Sequence, residues 1–455
     1  MDPRAIVQTA CGAGAEPAAG AIRAEAARIL GLFGRTSQRS AEPQQLAGSN
    51  CVALGWASSG LMALTGHPGG PPALPRAPVA TRLAGLAQAL LALTSRWREP
   101  VRVELATVFA ARAAEAGWSR RGRVSVNGSA RLLPAADGWF AANLARPADL
   151  DVLPAVLGCA VPADRAWHEL ARWARSRPAA EAESELQFVG VPAAALGARA
   201  ELAATRSVRL GPSAAQTGRP PIVLDLSALW AGPLAARLLS LAGAEVITAT
   251  DVNRRDGARG GPAMFYAWLH AGHRRVEFDF KSVAGRRKLL QLASEADIVI
   301  ESSRPAALRR LGLVAEELLA AGAGRTWLSI TGYGRELFGG DRVAFGDDAA
   351  VAGGLVGYDE QGEPVFCGDA IADPLTGLWA ALAVVDSQLA GGGHLVDVAM
   401  AGVSADLARA APAHLNSGTG SSWPLIGGRW ADHRGIPASW RSWRRDECGR
   451  AGSQC

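Results

Sequence analysis

The pattern of apolar and polar positions changes character along the chain, and it is most regular after Ile222. There, short apolar runs alternate with stretches of helical period. Ile222-Val223-Leu224-Asp225-Leu226, Val246-Ile247-Thr248-Ala249, Val276-Glu277-Phe278-Asp279-Phe280, Ile298-Val299-Ile300 and Trp327-Leu328-Ser329-Ile330 have the length and β-branched content of buried strands. Between them, residues 233–241, 282–293 and 304–311 place apolar side chains three and four apart, which predicts helices, the second capped by Ser282. Such alternation predicts an α/β fold with a doubly wound parallel sheet, whose ligands lie at the carboxyl ends of the strands. Trp230-Ala231-Gly232-Pro233 follows the first strand where an NAD-binding unit would carry G-x-G-x-x-G, so an ordinary dinucleotide site is not expected.

Upstream the pattern is different. Ile22 to Phe33 and Leu83 to Leu93 have helical spacing, and Val101-Arg102-Val103-Glu104-Leu105 reads as a short strand. Residues 123–126 and 139–142 read as strands around a turn at Asp137-Gly138, followed by helical stretches near 150–157 and 164–175. This is a smaller α+β unit, 119–200. Residues 201–220 mix Arg, Ser, Pro and Gly without a period and read as a linker. The α/β unit then spans 221–413, and 414–455 is an irregular tail with Trp423, Trp430, Trp440 and Trp443 among Arg and Gly.

The first 118 residues echo the second half. Ser59-Gly60-Leu61-Met62 answers Gly353-Gly354-Leu355-Val356. The run from Val79 to Leu86 answers Ile371 to Leu378, and Val103-Glu104-Leu105 answers Val396-Asp397-Val398. All three matches share an offset of about 293, so 1–118 reads as a partial, degenerate copy of the large unit. Thr81 stands in the first copy where Asp373 stands in the second.

Composition narrows the class. Net charge is +5, from 47 basic and 42 acidic residues, and no nucleic-acid motif is present; a diffuse Arg excess suits an anionic small ligand. The six cysteines are scattered without a C-x-x-C, which argues against zinc ribbons and disulfide frameworks and for a reducing cytoplasm. His270 and His273 lack further ligands, so no metal is expected and both read as surface or packing residues. No charged n-region with an apolar core opens the chain, and no run of eighteen apolar residues occurs, so neither secretion nor a membrane span is expected.

The chemistry concentrates at Gly368-Asp369-Ala370-Ile371-Ala372-Asp373-Pro374-Leu375-Thr376-Gly377-Leu378. Read alone, Asp373 is an N-cap for the apolar helix from Leu378 to Leu389, accepting its free N–H groups. Asp347 and Asp348 read as a solvated turn.

These residues resemble the family III CoA-transferases (CaiB/BaiF type), which include the α-methylacyl-CoA racemases. The resemblance runs through Val223-Leu224-Asp225-Leu226 with Ala231-Gly232-Pro233, Gly243-Ala244-Glu245-Val246-Ile247 and Arg274 to Ser282. It continues through Ala296 to Glu301 with Arg304-Pro305, Ser329-Ile330-Thr331-Gly332-Tyr333-Gly334, Asp373 with Thr376-Gly377-Leu378, and Gly393 to Val398. It covers about 222–410, and more weakly 55–200. It implies the fold of that family and makes Asp373 the nucleophile, moving CoA from an acyl-CoA to a carboxylic acid acceptor through an anhydride and an aspartyl-CoA thioester. It places Ala231, Phe278, Lys281, Ser302, Ser303 and Arg310 at CoA contacts, with Lys281 and Arg310 suited to phosphates. The N–H groups of Gly353-Gly354 are candidate oxyanion donors. It also implies a homodimer, or an intramolecular pseudo-dimer if the copy at 1–118 replaces a second chain.

Four departures stand out. Phe345 takes the position where the racemases carry an acid/base His, which favours transfer over racemisation. Ser302-Ser303 replaces the usual Asn-Phe, and Asp251 stands where Arg is common, with Arg254, Arg255 or Arg259 as substitutes. The domain order is rearranged, as in a truncated tandem fusion. The competing readings are a non-catalytic CoA-binding or dimer-partner subunit and a racemase-like isomerase.

Overall fold

The computed structural model describes residues 18–35, 52–336 and 340–409; the tail from 414 and Cys11, Cys51, Cys448 and Cys455 lie outside them. The upstream half opens with helices α1 (Ala18–Leu32), α2 (Val79–Trp97) and α3 (Leu105–Ala116). Strands β1 (Ala130–Pro134) and β2 (Trp139–Asn143) form the hairpin expected around Asp137-Gly138, and β3 (Ala193–Ala195) adds to its edge. The first hairpin strand begins seven residues later than its apolar pattern suggests, because Val124 makes only an isolated bridge to Arg131.

The main sheet comprises β4 (Thr205–Arg209), β5 (Ile222–Asp225), β6 (Glu245–Asp251), β7 (Arg274–Phe278), β8 (Ile298–Glu301), β9 (Thr326–Thr331) and, past the short hairpin β10 (Gly357–Tyr358)–β11 (Pro364–Val365), β12 (His394–Ala399). Its order is β4-β12-β9-β8-β5-β6-β7. All pairs are parallel except β4 with β12. The chain winds outward from β5 through β6 to β7, then returns to lay β8 on the other side of β5. The switch point therefore lies between β5 and β8, where open sheets of this kind bind ligands.

Two sequence expectations fail here for physical reasons. Thr205–Arg209, inside the segment read as a linker, is an edge strand; its exposed Arg206 and Arg209 hide the pattern, and edge strands carry such charges. Residues 101–104 are not assigned to a strand, and Leu105 already opens α3.

Alternation along each strand builds two cores. Val223, Val246, Ile298, Ile300, Leu328, Val396 and Val398 face a large cluster with α1, α2, α3, α4 (Ala231–Leu241) and α6 (Ala372–Leu389). Leu224, Ile247, Val299 and Trp327 face the helices Val283–Glu295 and Ala315–Ala321. Ser282 caps the first of these through Gly285 N–H at 3.0 Å. Between β9 and β12, α5 (Gly346–Ala352) precedes α6, and α7 (Met400–Ala408) follows β12.

Helix α6 is buried nearly all round, with Leu375, Leu378, Leu382 and Val384 fully enclosed. Each such side chain contributes on the order of 1.5–3 kcal/mol of burial. Gly377 sets how closely α4 approaches: a Cβ there would come within 2.8 Å of the Ala231 carbonyl and of Leu234. A side chain at 377 would push the two helices apart.

Candidate active site

Helix α6 begins at Ala372, six residues before its apolar run suggests, so Asp373 sits inside the first turn rather than capping it. The cap expectation is thereby corrected. Ile371 precedes the helix without a side-chain cap, and Asp373 directs its carboxylate to the Gly346 backbone N–H at the start of α5. Gly346 is required for that approach: a Cβ would fall 2.6 Å from Asp373 Oδ2 and collide with the Ala370 carbonyl.

Ala370, just before α6, is held at φ 43°, a left-handed conformation costly for a residue with a Cβ. Its N–H donates to Asp347 Oδ1 at 3.1 Å, and its carbonyl accepts from Asp373 N–H at 2.8 Å. The turn that presents Asp373 is thus fixed by another carboxylate. Asp347 and Asp348 are not a solvated turn; they are 3% and 0% exposed in α5. Asp348 accepts from Phe345 N–H and from Asn143 Nδ2, which pins α5 to the hairpin, while Asp347 faces the site.

Asp369 completes a trio of carboxylates, and Arg112 of α3 answers it with two parallel bonds, Nε to Oδ2 at 2.7 Å and Nη2 to Oδ1 at 2.5 Å. Burial disfavours the guanidinium charge, but Asp369, with Asp373 and Asp347, outweighs it and raises the Arg112 pKa. Burial pushes Asp373 up to about 7; Arg112 pulls it down, Asp369 pushes it further up, and the Gly346 N–H pulls it down. Burial and the Asp369 charge push Asp347 up to about 7 as well. Of the three, Asp373 keeps partial exposure while Asp347 and Asp369 are buried. Asp373 is therefore the one that an external molecule can reach, and its residual hydration softens the effect of burial.

The expected CoA contacts lie at the carboxyl edge of the sheet or just beyond it. Ala231 opens α4 after β5, and its carbonyl meets Gly377, one helical turn from Asp373. The loop before it is rigid: Leu229 holds φ 69° and donates its N–H to Asp256 Oδ1 at 3.0 Å. Ser302 and Ser303 follow β8, across the switch point. Glu301, buried, accepts from Ser303 N–H at 2.8 Å, Ser329 Oγ at 2.5 Å and Arg335 at 3.2 Å, so that loop is pinned too. Phe278 ends β7 and Lys281 follows it, exposed, two strands away from β5. Phe278 packs on Phe280, and Lys288 Nζ lies 4.8 Å from its ring centre. Arg310 is exposed at the end of helix Pro305–Arg310.

Other expectations change. The N–H groups of Gly353 and Gly354 already donate to Ala349 and Val351, so they are not open oxyanion donors. Phe345 provides no acid or base. Arg259 is engaged by Tyr266 and Glu277. His270 is buried, its ring 5.9 Å from that of His273. No described helix is long and apolar enough to cross a membrane. Sequence reasoning missed Arg112, Asp347, Glu301 and Arg335. An acidic pair within an Ala-rich run was the available signal for Asp347.

The structure is an α/β fold with a mostly parallel sheet, a switch point between β5 and β8, and a carboxylate in the first turn of α6. Residues 221–423 match the model of CoA-transferase family III. The succinyl-CoA–D-citramalate CoA-transferase of Chloroflexus aurantiacus is 29% identical over 224 residues, covering 45% of this chain and 56% of that protein. The succinyl-CoA:(R)-benzylsuccinate CoA-transferase subunit BbsE of Thauera aromatica is 35% identical over 188 residues, covering 37% and 45%. A crystal structure of a CAIB/BAIF family protein from Brucella suis is 28% identical, covers 42% of this chain and 54% of that one, and gives a TM-score of 0.38. The chain spans about half the length of the curated relatives it matches.

Proposed function

We propose that the protein is a CoA-transferase that moves CoA from an acyl-CoA to a carboxylic acid with Asp373 as nucleophile. The observation that carries this is the placement of Asp373: partly exposed, in the first turn of α6, one turn from the Ala231 carbonyl. An ionised Asp373 attacks the thioester carbonyl; the C–S bond breaks, the CoA thiolate leaves, and a mixed anhydride remains. The thiolate attacks the Asp373 carbonyl, releases the donor acid and forms an aspartyl-CoA thioester. The acceptor carboxylate attacks that thioester, giving a second anhydride and thiolate. Thiolate attack on the acceptor carbonyl then yields the new acyl-CoA and frees Asp373. The hard exchange is divided into easier steps, and protein walls keep the anhydrides from water.

A pKa near 7 suits this cycle. The carboxylate is ionised in part at neutral pH and less stabilised than one in water, hence a better nucleophile. The Gly346 N–H steadies charge on the aspartyl oxygen as each thiolate attacks or departs. Ala231, Ser302 and Ser303 line the adenosine–phosphate side at the switch point, and Phe278, Lys281 and Arg310 extend it with stacking and charge. Several relatives carry succinyl-CoA in their names, so succinyl-CoA is the first donor to try.

The test is intact-mass detection of covalent CoA on the full chain after incubation with succinyl-CoA and a dicarboxylic acceptor. One adduct, mapped to Asp373 and lost in Asp373→Asn while CoA affinity holds, is the expected result. Turnover in Asp373→Asn near that of the unaltered chain would sink the assignment. CoA binding without adduct or transfer would leave a non-catalytic subunit, and deuterium exchange at the α-carbon would mark an isomerase.

A further inference from the structure

Helix α3 lies wholly outside the family-matched segment, yet it reaches the site at two points. Arg112 grips Asp369 with both arms of its guanidinium, and the same group lies 4.7 Å from the ring centre of Trp230, the residue before Ala231. One turn on, Glu115 accepts the N–H groups of Met264 and Phe265 at 2.9 and 2.8 Å, and Phe265 packs edge-on against Trp230 with centroids 5.0 Å apart. The CoA-side loop and the acidic trio are thus clamped by one helix from the upstream half.

That half mirrors the downstream one in space. Gly66 bridges Pro72 antiparallel, as Tyr358 pairs with Pro364 at the matching repeat positions. Helix α2 follows the first bridge as α6 follows the second, and α3 then corresponds to α7. His67 and Asp359, 292 residues apart, occupy the same place in each copy and bond to each other at 2.9 Å. A residue touching its own counterpart is what a two-fold axis produces.

We propose that the upstream half is a degenerate copy retained to complete the site within one chain, and that its Arg112 is the positioning residue that ties the Trp230-Ala231 loop to Asp369 and thereby sets when Asp373 can attack. This rests on Asp373 as the nucleophile. The charged groups facing Asp373 are Asp369 before its helix, Asp347 from α5 and Arg112 from α3. Three close carboxylates, two of them buried, beside one cation do not all ionise together. Without Arg112 the trio holds a proton to higher pH, and Asp373 waits for that proton to leave. Lys at 112 would keep the charge but cannot make the paired bonds or lie flat on Trp230.

The experiment measures the rate of CoA-adduct formation from pH 5.5 to 9 in the full chain and in Arg112→Met, Arg112→Lys and Asp369→Asn. In Arg112→Met the midpoint moves alkaline by about a unit, so the rate at neutral pH drops roughly tenfold and recovers at high pH. Arg112→Lys keeps the midpoint and lowers the plateau. Asp369→Asn moves the midpoint to acid, a variant that stays informative if Arg112→Met fails to fold. Equal slowing at every pH in Arg112→Met, or an unmoved midpoint in Asp369→Asn, overturns the proposal. Should the unaltered chain form no adduct, the nucleophile reading fails separately. Carbon-13 NMR titration of labelled Asp carboxylates, with Asp373 assigned by Asp373→Asn, still reads whether Arg112 sets its ionisation.

Discussion

Burial removes water from Asp347 and Asp369 at the α5–α6 junction, and Arg112 answers only Asp369 with paired hydrogen bonds. Asp347 receives a single N–H bond from Ala370 and is pushed up to about 7. A folded-state value above the unfolded one, near 4, means that the native state holds more protons between the two. Stability from this group is full below about pH 4 and is lost as pH rises through about 7. Asp347→Asn keeps an acceptor for Ala370 and cannot ionise. We expect its stability to gain on that of the unaltered chain between pH 4 and 7, by up to about 1.4 kcal/mol per pH unit, and to level off above, with the melting temperature following. Melting curves at four pH values check this; a constant difference would show that Asp347 does not titrate there. At this scale the helix start that carries Asp373 was partly legible, because its motif is local. Arg112 was not: it meets Asp369 across 257 residues of chain. Asp347 and Asp348 misled because acidic pairs are usually solvated, and here neighbours in the fold supply their bonds.

At the scale of elements, the inner strands β5, β6, β8 and β9 were readable because both faces of the sheet are covered there, which makes each a mostly apolar run, while β7 at the edge is largely exposed. β4 was hidden by its arginines at the edge, and α6 was read short because Pro374 masks its first turn, where proline is tolerated. The α5–α6 junction depends on Gly346. Gly346→Ala would drive a methyl into the Ala370 carbonyl and Asp373 Oδ2. We expect a loss of about 1–3 kcal/mol of stability, as in other overpacked sites. The adduct rate should fall further than stability alone explains, at least about tenfold, because the displaced atom is on the carboxylate proposed as nucleophile. Thermal melting and the adduct rate, measured together, check it. Near-normal values of both would mean that α5 shifts freely and does not position Asp373.

On the scale of the whole molecule, the proposed single site at Asp373 and the proposed upstream copy make a test at position 81. Thr81 lies in the first turn of α2, as Asp373 does in α6, but its surroundings are different. The neighbouring Arg82 is committed to the carbonyls of Asp406, Leu407 and Arg409, so it cannot serve a carboxylate as Arg112 does. The described residues before α2 hold helices and isolated bridges and no named strand, so among them no carboxyl edge of a sheet faces position 81. Thr81→Asp restores the carboxylate and nothing else. Intact mass after succinyl-CoA treatment should therefore show one CoA equivalent per chain in the unaltered protein and still one in Thr81→Asp, mapped to Asp373 in both. Thr81→Ala should retain most of the activity, since no bond of the site depends on that hydroxyl. Two equivalents in Thr81→Asp would mean that the upstream copy can assemble its own CoA site, and that its service to Asp373 is not what has kept it in the chain.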